Sequence, residues 1–526
     1  MQSTSLQRSA AYSHLARLET LLVLIVVLRL FLAWVLPMTD TTEARYADMA
    51  RMMVETGDWI TPYFDYDIPF WGKPPLHTWL SAAGIAVLEP ILTFAGVDAP
   101  RDLAARLPIL GTTLALLWVL HAWIKRIRDR ETAWIAVVIL ASSGLFFGAS
   151  AFVMTDIPLA LGVTIAMAGF HLGAGAGGGV PDRRWALIGF IGLAIGLLAK
   201  GPIVLLLVGL PVGLWILAGW RWSLLLRLPW VQGLLLVSVL VLPWYITAEL
   251  KTPGFLRYFI VGEHFERFVV PGWEGDLYGS GHEEPKGIIW LYGLGTFLPW
   301  TVFALVPLAC AQRLRREAQG EGLYGYLLAF ALAPMIVFTP AANILAAYVL
   351  PGLPAAAALL AVTWRDARLP EGRVVKTAFA VATVAMPLAI TLTFLSGNER
   401  TWPLKTAYGA IRHLDNIAPA ARLSTLKDRI FSVEYYAEGR ARALDPEAIA
   451  GLVGDGRRDA IVVRDRNGSL AVPEGFEDLG TWTIYRLWLE REGTRRKLAD
   501  PQFGHQTIPR MAPHMSFTGN STGDPK

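Results

Sequence analysis

The chain has 526 residues, of which 54% are hydrophobic and only 17% charged, with a formal net charge of +4. A soluble domain carries roughly 25% charged residues, so this composition, with a mean hydropathy of +0.43, excludes a string of soluble domains and indicates a polytopic membrane protein. The single cysteine, Cys310, excludes a disulfide framework.

Arg8 and Arg17 precede an apolar run over residues 20–36. The run exceeds the core of a cleavable signal peptide, and no small-x-small cleavage site follows it. At 1.5 Å per residue it suits a hydrocarbon layer of ~30 Å and is predicted to be the first transmembrane helix. Arg29 inside it is expected to face the helix bundle or to snorkel toward the interface.

Residues 39–79 interrupt the apolar pattern with Asp40, Glu43, Arg45, Asp48, Arg51, Glu55, Asp58, Asp65, Asp67 and Lys73. Tyr46, Met49, Ala50, Met53 and Val54 recur at helical spacing, so an amphipathic helix is predicted, stopped by Gly57. It is expected to lie along the interface, with Glu43, Asp48, Arg51 and Glu55 toward water. In Phe70-Trp71-Gly72-Lys73-Pro74-Pro75 the prolines stiffen the backbone after a lysine set among aromatics. Lysine is a point-charge partner for phosphate.

Further apolar spans are read near 107–124, 133–151, 158–174, 185–199, 202–219, 228–248, 287–311, 323–338, 344–362 and 377–395. With the first, that makes about eleven, and short or tilted helices in 75–96 would raise the number to as many as thirteen. Alternate loops carry the basic residues: Lys125, Arg126, Arg128 and Arg130; Arg183 and Arg184; Arg221 and Arg227; Arg313, Arg315 and Arg316; Arg365, Arg368, Arg373 and Lys376. The positive-inside rule places these loops and the N-terminus in the cytoplasm.

The opposite face mixes both signs with aromatics in the first outer loop, 37–106, and in the segments 154–156, 200–201 and 251–286. Asp156, before Pro158, reads as a helix N-cap, as an active-site carboxylate, or both. Lys200, in a tight turn with Gly201 and Pro202, either snorkels or serves the site. Segment 253–267 carries Arg257 and Arg267, suited to bidentate phosphate contacts, and the adjacent Glu263 and His264, a weak pattern for a divalent metal. Tyr348 begins a Pro-interrupted stretch of the kind that lines cavities in membrane proteins. Beyond 395 the chain turns soluble, with strand-like runs at 422–426, 459–463 and 481–488 and a helical pattern at 446–453. Residues 494–526, rich in Pro, Gly, Ser and Thr, read as disordered.

TEARYADMAR, GDW, GKPPL, TDIPLA, LLAKGP, PGFLRYFIVGEHFERF and YVLPGLP, in this order over roughly the first 360 residues, resemble the lipid A aminoarabinose transferases and the related dolichyl-phosphate-mannose-mannosyltransferase-like enzymes. The resemblance implies a GT-C fold: a multi-spanning α-helical bundle (1–395), juxtamembrane helices in its first outer loop, and a small extracytoplasmic α/β domain at 396–493. It implies a polyprenyl-phosphate sugar donor, inversion at the anomeric carbon, and a lipid A, lipopolysaccharide or other glycolipid acceptor at the periplasmic face of a bacterial inner membrane. Arg45, Lys73, Lys200, Arg257, Arg267 and Tyr348 fall in its donor-phosphate region. The family's first motif carries Asp-Glu where this chain has Thr42-Glu43, and its lysine motif often carries Glu where this chain has Gly72. The expected base is therefore Asp40, Glu43 or Asp156, and a metal at Glu263 and His264 lacks one usual carboxylate. Alternatives are a protein O-glycosyltransferase of the same fold and a lipid-linked sugar transporter or flippase. The latter would carry ionisable groups at mid-span and internal repeats, whereas the charges here gather at helix ends.

Overall fold

Proline, glycine and charge punctuate the apolar runs at nearly every helix end. The computed structural model describes residues 2–279, 282–304, 322–366, 373–395, 406–427 and 429–492. The first span is the end of α1 (Gln2–Val35). The loop helix is α2 (Thr42–Thr56), stopped where Gly57 adopts the left-handed backbone at φ 69°. A short hairpin, β1 (Tyr63–Asp65) and β2 (Ile68–Pro69), leads to α3 (Leu76–Phe94). Then come α4 (Pro100–Ile127), α5 (Arg130–Ser142), α6 (Gly144–Ala149), α7 (Asp156–Gly173), α8 (Arg183–Lys200), α9 (Ile203–Gly219), α10 (Trp222–Leu226) and α11 (Trp230–Lys251). Two short α-turns, α12 (Phe255–Arg257) and α13 (Arg267–Val269), flank a π-helix over Tyr258–Glu266. The bundle closes with α14 (Ile288–Thr296), α15 (Leu323–Phe338), α16 (Leu353–Asp366) and α17 (Arg373–Leu395).

Among the described residues seven helices are long and apolar enough to cross a membrane, and the chain is a multi-pass membrane protein. Of the other expected spans, 202–219 and 323–338 are the shorter apolar helices α9 and α15, and 185–199 is α8. Span 133–151 is broken at Ser143 into α5 and α6. Span 287–311 starts as α14 and leaves the described residues after a 3-10 turn at Trp300–Ala304. Helix α3 is apolar enough to span, yet both its ends lie with the elements of the first outer loop. It follows Lys73 directly, its Glu89 binds Arg101 (2.9 Å), and Arg101 also binds Glu438 (2.9 Å) of the C-terminal region. It therefore lies along that face rather than crossing.

At the other end, Arg126 pairs with Asp182 (2.8 Å), Arg130 with Glu19 (2.8 Å) and Arg365 with Glu131 (3.1 Å). Loops expected to share the N-terminal side thus meet on one face. Arg313, Arg315, Arg316, Arg368, Cys310 and the tail 494–526 lie outside the described residues.

The C-terminal region adds α18 (Ala407–Ile417), β3 (Arg422–Leu426), α19 (Phe431–Tyr436), β4 (Arg442–Leu444), β5 (Asp459–Arg464), β6 (Phe476–Trp482) and β7 (Tyr485–Glu490). The sheet order is β4-β3-β5-β7-β6, parallel around β3 and antiparallel around β7. Alternation along β5 sends Ala460 and Val462 toward α18 and α19, and Ile461 and Val463 to the opposite core. The expected strand at 481–488 is two strands joined by a tight corner: 481–482 end β6 and 485–488 begin β7, Trp482 pairs with Tyr485, and Thr483 between them takes a positive φ of 64°. The helical pattern at 446–453 is a 3-10 turn (Pro446–Ala448) followed by a short helix (Ile449–Leu452).

This region also corrects the expected orientation of α2. Glu43, Asp48 and Arg51 do not face water; they are 1%, 4% and 5% exposed. Arg51 binds Asp48 (2.8 Å) and Glu55 (2.5 Å) and lies beside Gly439 of the C-terminal region, which covers the polar face.

Helices α7 and α8 pack with their backbones nearly touching. A Cβ at Gly169 would stand 2.4 Å from the Gly189 nitrogen, a backbone atom that cannot yield cheaply. The contact matters because α7 begins at Asp156 and α8 ends at Lys200. Gly169→Leu is expected to lower the thermal midpoint in detergent, costing ~1–3 kcal/mol as overpacking. Gly209→Leu, where a Cβ meets nothing within 4 Å, should leave it unchanged.

Candidate active site

The first outer loop is pinned by one buried ion pair. Arg106, near the start of α4, binds both oxygens of Glu43 (Nε 2.8 Å, Nη2 2.7 Å) and donates to the carbonyls of Ala33 (3.0 Å), Leu36 (2.5 Å) and Pro37 (3.0 Å). The unsatisfied carbonyls at the end of α1 thereby become guanidinium acceptors. Glu43 also accepts from the Thr39 N–H (3.4 Å) and the Val153 N–H (3.5 Å), which ties α2 to the turn carrying Asp156.

Beside this hub, five segments distant in sequence converge. Lys200 ends α8, and its ammonium binds Asp156 Oδ1 at 2.5 Å while lying 4.3 Å from the centre of the Tyr348 ring. Lys73 binds Glu263 (2.7 Å) and its neighbour's carbonyl, Gly72 O (2.6 Å). Arg267 binds Glu263 (3.1 Å) and Asp276 (3.1 Å). Lys73, Arg267, Asp156 and Glu263 all act electrostatically on Tyr348. The Lys200 turn depends on Gly201, whose φ is +83° and whose Cβ would stand 2.4 Å from the Phe259 ring. Tyr278 holds the lysine turn from outside: its hydroxyl donates to Pro69 O (2.7 Å) and accepts from the Trp71 N–H (2.9 Å). Arg45 reaches the same loop through the Tyr278 carbonyl (3.1 Å), with its buried Nε unpaired.

The electrostatics follow from this pairing. Burial pushes the Glu263 carboxyl up, but Lys73 and Arg267 outweigh it and hold the group below the usual carboxylate range. Burial holds His264 below the usual imidazole range against a backbone hydrogen bond to Phe259, so the ring is neutral at pH 7. Its nitrogens face the carbonyls of Phe259 (Nδ1, 2.7 Å) and Lys200 (Nε2, 3.2 Å).

Several expected residues do not join the cluster. Asp40, expected as a base, spends its carboxylate on the C-terminal region: it accepts from Ser432 N (2.8 Å), Ser432 Oγ (3.0 Å), Tyr485 OH (2.7 Å) and Arg464 (2.9 Å). Glu43 is committed to Arg106. Arg257 is exposed and has no described contact with the cluster. Glu263 and His264 are not arranged as a metal pair, because cations wrap the carboxylate and both ring nitrogens face carbonyls. Among the described residues no group of three or more His, Cys, Asp or Glu could hold a metal ion. Arg106, Asp276 and Tyr278 were not legible as parts of the assembly. The only trace of Arg106 is a cation at the mouth of an apolar span.

Residues 17–259 match the family model for dolichyl-phosphate-mannose-protein mannosyltransferase. The chain superposes on ArnT from Cupriavidus metallidurans bound to undecaprenyl phosphate with a TM-score of 0.71 at 17% identity, covering 91% of this chain and 99% of that one. The chain therefore has the GT-C fold. The archaeal oligosaccharyltransferase AglB from Archaeoglobus fulgidus aligns more distantly, with a TM-score of 0.53 at 14% identity over 86% of this chain and 70% of that one. In sequence, the undecaprenyl phosphate-alpha-4-amino-4-deoxy-L-arabinose arabinosyl transferase of Shewanella sediminis is 29% identical over 322 residues, 61% of this chain and 54% of that protein. The enzyme of the same name from Enterobacter sp. is 28% identical over 360 residues, 67% of this chain and 59% of that protein. The GT-C chain thus spans somewhat over half the length of the curated relatives it matches.

The pH dependence of stability follows from Glu263 and His264. Both have native pKa values below their ordinary ones, so at intermediate pH the unfolded state binds more protons. Their contributions are complete above the unfolded pKa and decline as pH falls, from about 6.5 for His264 and about 4.3 for Glu263. The thermal midpoint in detergent should therefore fall on acidification. Glu263→Gln should flatten the part below about pH 4.5, and His264→Asn the part that starts near pH 6.5.

Proposed function

We propose that this chain is a membrane glycosyltransferase that moves a sugar from a polyprenyl-phosphate donor to a lipid A, lipopolysaccharide or other glycolipid acceptor, with inversion. The observation that carries the reading is the convergence of Lys73, Lys200 and Arg267 on one site, each held by a carboxylate and grouped around Tyr348. The names of the curated relatives and the undecaprenyl phosphate bound in the ArnT structure support the donor class. The gathering of basic loops on the opposite face supports a cytoplasmic N-terminus, with the site and the C-terminal region outside, in the periplasm of a bacterial cell. We assign residues 1–395 to the catalytic bundle and 396–493 to the periplasmic α/β domain.

The chemistry fits these groups. A polyprenyl phosphate leaves as a stable anion, so the barrier is lowered chiefly by cations placed where its charge develops. Lys73 and Lys200 supply them, with Arg267 on the shared carboxylate. When the donor phosphate draws Lys200 toward it, Asp156 loses its partner and becomes the base for an acceptor hydroxyl. Tyr348 remains against the ammonium and limits its positions. Asp40 and Glu43 act through docking and loop shape rather than by touching the reacting atoms. No metal is needed for these roles.

Lys73→Ala, Lys200→Ala and Asp156→Asn are each expected to lower transfer in membranes by about 10²-fold or more. Asp40→Asn should lower it by less than about tenfold, the scale of lost positioning rather than lost chemistry. The readout is mass spectrometry of glycolipids and lipopolysaccharide from cells with and without each variant. Wild-type product from both Lys73→Ala and Asp156→Asn would overturn the reading.

A further inference from the structure

Apart from the Lys73 and Lys200 cluster, a small cavity of about 40 Å³ lies between α1, α4, α6 and α17, room for a headgroup but not for a whole ligand. Its walls are mostly apolar, with Leu32 and Leu36 of α1 and Ile390 and Phe394 of α17 among them. Its polar lining includes two guanidiniums, Arg29 and Arg106, and the Glu43 carboxylate. Arg29 stands six residues before the end of α1, about 9 Å along the axis, and is 5% exposed. It donates from Nη2 to Gly148 O (3.1 Å), while its buried Nε has no partner. The charged groups acting on it are Arg106 and Glu43. Both Glu43 oxygens are already bound to Arg106. Arg29 thus adds a positive charge to a closed pair, in a setting where an uncompensated buried charge is costly.

The approach to this charge is apolar. On α1, Val27, Leu30, Phe31 and Trp34 are 38–56% exposed and mark the bilayer side. A second, larger cavity of about 280 Å³ shares Leu36, Pro37 and Phe394 with the first and extends past Trp34 to Asp98, Asp102 and Tyr408. A ligand that neutralises Arg29 while lying along these walls has an anionic head and a hydrocarbon chain.

We infer that the cavity lined by Arg29 is a seat for the phosphate or carboxylate of an anionic lipid that enters from the bilayer between α1 and α17. The site is separate from the cations assigned to the donor, and the inference does not rest on the transfer reading. Glu43, which lines the seat, also accepts from the Val153 N–H, beside the turn bearing Asp156.

The test is native mass spectrometry of the full chain in detergent, titrated with dioleoyl phosphatidic acid or dioleoyl phosphatidylcholine, with calorimetry against inorganic phosphate. The wild type should retain phosphatidic acid at a roughly 10-fold lower concentration than phosphatidylcholine, the scale of a charge-assisted hydrogen bond. Arg29→Leu should erase that preference. Phe394→Trp, which fills the cavity and keeps the charge, should weaken retention of phosphatidic acid by a similar factor. If Arg29→Leu does not fold, the Phe394→Trp result decides alone. An unchanged preference in a folded variant would overturn the proposal, as would inorganic phosphate binding as tightly as the lipid.

Discussion

The bidentate pair between Arg106 and Glu43 is the constraint on which the outer face depends. A guanidinium at 3% exposure and a carboxylate at 1% cannot be tolerated singly in a low-dielectric interior. Together with three carbonyls at the end of α1, they form a closed set of charge-assisted bonds. That set fixes where the first span ends, where α2 starts and, through Val153, where the turn before Asp156 sits. The cost of burying two charges is met by complete satisfaction, and the geometry follows.

The neighbouring ion pairs have a different character. Lys73, Lys200 and Arg267 are also matched to carboxylates, but their side chains stay 18%, 11% and 19% exposed. They are reached from the site rather than sealed from it. In the proposed reaction a phosphate arriving there would compete with Glu263 and Asp156 for the same cations. The π-helix at Tyr258–Glu266 contributes to this arrangement by presenting Glu263 to Lys73 and, one residue past its end, Arg267 to the same carboxylate. π-turns are rare, and they are common at functional sites.

Much of this was legible in the sequence, for identifiable reasons. Apolar period, Gly57 and the prolines marked the helices because those signals are local. The lysines of the Gly-Lys-Pro-Pro and Ala-Lys-Gly-Pro turns stood out because charge at a helix end in a membrane protein is unusual. What could not be read was partner choice. Glu263 lies 190 residues from Lys73, and neither residue's neighbours announce the other. Asp40 had the look of a base because it stands close to the motif position that Thr42 occupies. Its true partners, Ser432 of α19, Arg464 of β5 and Tyr485 of β7, come from a region that folds back nearly 400 residues later. The polar face of α2 was assigned to water for the same reason, since amphipathicity reports that a face is polar and not what covers it.

The account rests on cations that carboxylates hold until a donor phosphate displaces them. The most direct measurement is the affinity of the purified chain for undecaprenyl phosphate, compared among wild type, Lys73→Ala and Glu263→Gln at constant salt. The account predicts weaker binding for Lys73→Ala and tighter binding for Glu263→Gln, because removing the competing charge leaves Lys73 and Arg267 to the phosphate. Unchanged binding in Lys73→Ala, or loss of binding in a folded Glu263→Gln, would contradict it.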